Sequence, residues 1–95
     1  MDDFFARQMA VLRRQVNDYR NGEFSLNTLI QRIEGIGSAL ISARWKDAAF
    51  PIVLSMEQVN AAALDEKRVL TETDKVSVEK SLLELEAIIN RFDAE

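Results

Sequence analysis

Two residue types are missing from this chain altogether: cysteine and histidine. Without cysteine there is no disulfide, no thiolate nucleophile and no thiolate metal site. Without histidine the commonest general base near neutral pH is gone. The inward Glu-x-x-His motifs of di-metal carboxylate bundles are excluded for the same reason. Catalysis would have to rest on carboxylates, Lys, Ser or Tyr, so we expect a protein that is not an enzyme and carries no cofactor. Proline occurs once and glycine three times. That scarcity argues against tight β turns and for long helices. No run approaches the ~20 apolar residues that cross a bilayer. The start, MDDFFARQ, lacks the basic and then apolar pattern of a secretory signal. A cytoplasmic protein with no membrane partner is expected.

What is present is enough for one globular domain. The 95 residues are 47% apolar and 29% charged, and a chain of this size hides roughly two-thirds of its unfolded surface. The net charge of −4 is unevenly spread: residues 1–46 hold seven bases and five acids, residues 47–95 five bases and eleven acids. The acidic half repels phosphates, so direct nucleic-acid binding is not expected, whereas a basic protein surface suits it.

Apolar periodicity predicts an all-α protein, an antiparallel four-helix bundle with helices at about 3–20, 26–43, 51–69 and 72–92. Phe5, Met9, Leu12, Val16 and Tyr19 step by four, three, four and three. Asp2 or Asp3 serves as the cap before them, and Asn21-Gly22 as the left-handed stop. Ser25 caps a second helix whose stripe runs from Leu26 through Ile33 and Ile36 to Leu40 and Ile41. Gly35 and Gly37 inside it predict close approach of a neighbouring helix. Pro51 suits the first turn of a third helix, with Asp47 capping a short turn before it. Ile52, Met56, Val59 and Ala63 mark its inner face, and the run Ala61-Ala62-Ala63 suggests a tight contact. Thr71 with Asp74 forms a variant capping box before Val78, Leu82, Leu85, Ile89 and Phe92. Trp45, the one tryptophan, is expected to close the end of the core, with a partner anchor as the alternative.

Two acidic features stand out. LDEKRVLTETDK places Asp65, Glu66, Glu72 and Asp74 around the last helix–helix joint. Glu72, Glu79, Glu86 and Asp93 then recur every seven residues, a spacing that drifts only ~20° per repeat and so draws one line along the helix. Val76 and Leu83 lie close to that line. Solvated flank charge beside a wide core face is one interpretation. The other is an acidic ridge with apolar studs that meets a basic partner, through Asp65, Glu66, Glu72, Asp74, Val76, Glu79, Leu83 and Glu86. The adjacent pairs Asp65/Glu66 and Glu84/Glu86 do not converge as catalytic carboxylates do, and no EF-hand spacing occurs at the joint.

The segments YRNGEFSLNTLIQRIEGI and MEQVNAAALDEKRVLTETDKVSVEK, with the Trp between them, resemble the small acidic helical immunity proteins that accompany bacterial toxins. These are the ones of contact-dependent growth inhibition and of the helical colicin type. The resemblance spans Tyr19 to Ile89 and is one of architecture and character. It implies a partner: the cognate protein toxin, often a nuclease, whose basic groove an acidic ridge occupies in place of substrate. Binding beside the active site, or through the basic N-terminal half, is the variant. A monomer when free is expected. The competing expectation is a helical adaptor or homodimerising module that joins copies through Val76 and Leu83.

Overall fold

Four helices carry the fold in the computed structural model, which describes residues 3–95. They are α1 (Asp3–Arg20), α2 (Leu26–Leu40), α3 (Ala43–Asp65) and α4 (Glu72–Asp93). Asp2, one of the two candidate caps of α1, lies outside the described residues. Each helix packs on its neighbours in sequence, and α1 returns to pack on α4. Cross-helix bonds fix the directions. Asn60 near the end of α3 donates to Asn27 near the start of α2 at 3.0 Å. Arg20 at the end of α1 meets Glu79 in the first half of α4, while Arg13 meets Asp93 at its end. The result is an antiparallel four-helix bundle.

The inner stripes close on one another as their spacing predicts. Met9, Leu12 and Val16 face Leu29 and Ile33, with Met56, Leu82, Leu85 and Ile89 completing a fully buried core. Trp45 is in this core, meeting the edge of Phe92 with 5.4 Å between ring centroids. Phe92 in turn stacks on Phe5. Gly22 takes the left-handed conformation, φ 79°, that ends α1. The capping box at α4 is complete: Asp74 N–H donates to the Thr71 hydroxyl at 3.1 Å, and Thr71 N–H donates to the Asp74 carboxylate at 3.0 Å.

The third helix departs from expectation. It begins at Ala43 rather than near Pro51, because Ser42 caps it and accepts the Trp45 N–H at 3.1 Å; Asp47, expected to cap a separate short turn, lies within the helix. Only Ile41 and Ser42 separate α2 from α3. Ile41 turns left-handed, φ 50°, and so leaves the α2 stripe for solvent. Pro51 therefore sits inside a helix, where it removes one backbone bond. Burial of Trp45 and Ala49 before it and of Ile52 and Met56 after it holds the helix through that gap. At the other end α3 stops at Asp65, not residue 69. Lys67 turns left-handed and Arg68 N–H reaches back to the Ala63 carbonyl, a Schellman closure. Of the three alanines only Ala63 is buried, and of the two α2 glycines only Gly37 meets a neighbour.

Candidate functional site: the α4 line and the α2/α3 groove

Three of the four heptad carboxylates of α4, Glu79, Glu86 and Asp93, are held by arginines of α1. The Arg20 guanidinium lies between two of them, donating to Glu79 at 2.6 Å and 3.1 Å and to Glu86 twice at 2.8 Å. Arg13 donates to Asp93 at 2.8 Å and to Asn90 at 2.9 Å. The expected ridge open to water is therefore a seam between two helices, and Glu79, Glu86 and Asp93 are compensated inside the protein. Electrostatics agree with this geometry. Arg20 holds the Glu86 carboxyl below its usual range, and Glu86 and then Glu79 hold the Arg20 guanidinium more firmly charged. Tyr19 beside them is pushed up, by burial first and by the Glu79 charge second. The missed signal was in α1. Arg13 and Arg20 are themselves seven residues apart, the same period as their acidic partners.

The acidic joint is compensated in a similar way. Arg68 bonds both Glu66 and Asp74, the latter at 2.5 Å. The Asp74 carboxyl is held low by the Thr71 backbone N–H first and Arg68 second. Glu72 is almost fully exposed, with Lys75 3.5 Å away. Asp65 points to solvent at the end of α3. Among the described residues, no three acidic side chains are arranged to hold a metal ion.

Val76 and Leu83 stand clear of the core, 70% and 58% exposed. Together with Glu79, Lys80, Glu84 and Ala87 they line a shallow depression on the outer face of α4. A second apolar surface was not anticipated. Phe50 and Leu54, 65% and 39% exposed, project from α3 beside a groove of about 290 Å³ between α2 and α3. Ile33, Gly37, Trp45, Ala49 and Val53 line it. Gly37 makes the groove: a Cβ there would stand 3.4 Å from Trp45 Nε1, so α2 rides directly over the indole. Glu34 of α2 and Glu57 of α3 also line it. The Glu34 carboxyl is pushed up, first by the Glu57 side chain opposite and then by burial. The i, i+4 spacing of Phe50 and Leu54 was visible in the sequence. Placing the start of the helix at Pro51 left Phe50 outside it and hid the pair.

No family model, curated protein or solved structure matches this chain. Among the described residues, no helix is long and apolar enough to cross a membrane.

Proposed function

We propose that this chain is a non-catalytic protein-binding module, and specifically an immunity protein that neutralises a cognate bacterial toxin domain. One observation carries the first part. Val76 and Leu83 are large apolar side chains on α4 that the completed core does not use. Exposed apolar anchors with a polar rim are the usual composition of a protein-recognition face. The toxin as partner rests on the resemblance of Tyr19 to Ile89, supported by the acidic balance of the chain.

The internal pairing of Glu79 and Glu86 changes the proposed mechanism. These two side chains hold α1 to α4, so they do not serve as a free mimic of a phosphate backbone. From the predicted set Asp65, Glu72, Val76 and Leu83 remain as contact residues, and Glu79, though paired with Arg20, still lines the same depression with Lys80 and Glu84. Apolar packing then supplies the hold on the partner, and the remaining charge guides approach. The test is co-expression with any toxin domain that a neighbouring gene encodes. A stable complex and lost toxicity are expected, and V76S with L83S should release the toxin. Unaltered toxicity beside the wild-type protein removes the immunity reading.

Self-association through the same depression is the second reading. Lys80 and Glu84 flank Leu83 on one face, and a two-fold axis would set each against its opposite charge on a second copy. A mass by light scattering that stays monomeric with rising concentration eliminates it.

A further inference from the structure

We propose that the α2/α3 groove is a second docking site, built to take a basic amphipathic helix from a partner protein. It is distinct from the α4 face and does not depend on the partner being a toxin.

The groove has the form that a third helix fills. Its floor is apolar and runs between two packed helices, with Trp45 and Val53 below and Phe50 and Leu54 standing along one side. Phe50 and Leu54 are one helical turn apart, and both are exposed in a bundle whose core is complete without them. An incoming helix with apolar residues at i and i+4 buries both at once.

Charge selects the occupant. Glu34 and Glu57 come from different helices and meet across the groove, and neither forms an ion pair among the described residues. Along the α1/α4 seam, by contrast, Glu79, Glu86 and Asp93 each pair with an arginine. Here two acids share the position where a base would sit. Lys46 also lines the groove yet makes no ion pair. A Lys or Arg on the incoming helix, one turn from its apolar residues, would enter between the two carboxylates and compensate both charges.

The test uses two synthetic amphipathic helical peptides of the same pattern, one of leucine and lysine, the other of leucine and glutamate. Trp45 is the one tryptophan and lines the groove, so its emission and indole N–H resonance report on occupancy. The lysine peptide is expected to shift both saturably, along with the Gly37 and Phe50 amides, and the glutamate peptide to shift neither. The E34Q/E57Q double variant should weaken the lysine peptide by about tenfold, and L54K should abolish binding. V76S/L83S should bind as the wild type does. Because Glu34 and Glu57 repel each other, E34Q/E57Q melts no lower than wild type at neutral pH, so its loss of binding is not unfolding. The proposal is overturned by equal response to both peptides, by wild-type affinity in E34Q/E57Q, by shifts scattered over the surface or centred on α4, or by no saturable response at all. Disruption of the toxin complex by V76S/L83S is a separate readout, so either reading can fail alone.

Discussion

Arg20 ties α1 to two turns of α4 at once. Its side chain is 28% exposed and forms forked bonds to two carboxylates on another helix. Isolated exposed ion pairs contribute little, but partly shielded forked networks contribute more. Replacing Arg20 with Met should therefore lower stability by about 1–2 kcal/mol. A domain of this size loses roughly 4–8 °C of Tm for each kcal/mol. Arg44, which pairs with Glu95 while 72% exposed, is the control: R44M should leave the melting temperature close to wild type. The pH response separates two kinds of carboxylate. Glu86 is held below its ordinary value by Arg20, so its contribution is present above the unfolded pKa and lost as pH falls through the folded one. Glu34 has the opposite sign. Its folded pKa is raised by Glu57, so its favourable contribution exists in acid and disappears as pH rises. The other charged group in the groove, Lys46, does not pair with either. We therefore expect E34Q to melt above wild type at pH ~7 and the gain to vanish below pH ~4, within the titration range of carboxylates. Thermal melts at the two pH values check this, and a variant that melts lower at neutral pH contradicts the sign.

At the scale of elements, local signals located four helices and misplaced both ends of the third. Caps written in the sequence at Ser25 and Thr71 are made in the fold. Removing the Thr71 hydroxyl with T71A should reduce stability by about 1 kcal/mol, measured by denaturant midpoint with an unchanged slope. The start of α3 was ambiguous. Pro51 and Ser42 are both sound start signals, and local preference does not rank them. Burial decides: α3 must extend back to Ala43 for Trp45 to reach Phe92 and for Ala49 to enter the core. A proline kept in a helix interior leaves a prediction. P51A restores the missing N–H and relieves the ring clash, an effect of up to ~3 kcal/mol. Greater freedom of the unfolded chain offsets about 0.4–1 kcal/mol of that. The variant should melt above wild type, and an equal or lower Tm would mean that the proline ring itself is needed for packing.

For the molecule as a whole, surface and core make separable contributions. Val76 and Leu83 lie outside the packed interior, so V76S/L83S should change stability by no more than about 0.5 kcal/mol per site while removing partner capture. W45A acts at the other extreme. Trp45 is 1% exposed and meets Phe92, so its truncation should remove about 3–5 kcal/mol, much of the 5–15 kcal/mol that a domain has. Calorimetry distinguishes the two classes directly. The charge asymmetry between the chain's halves, seven bases with five acids against five with eleven, looks like a polarised molecule when read linearly. Folding cancels part of it, because α1 lies along α4 and sets Arg13 and Arg20 against Asp93, Glu79 and Glu86.

By itself the sequence determined how many helices form and which side of each turns inward, since apolar spacing specifies relative angles around a single helix. It also placed Glu72, Glu79, Glu86 and Asp93 on one line and Gly22 at a left-handed stop. Which neighbour that acidic line faces was decided only by tertiary structure. Arg20 and Glu79 are 59 positions apart, and Arg13 and Asp93 are 80 apart. No local period links such residues. They meet because burying four apolar stripes in one core closes α1 onto α4, and the same closure lays Glu34 beside Glu57 and opens the groove over Trp45.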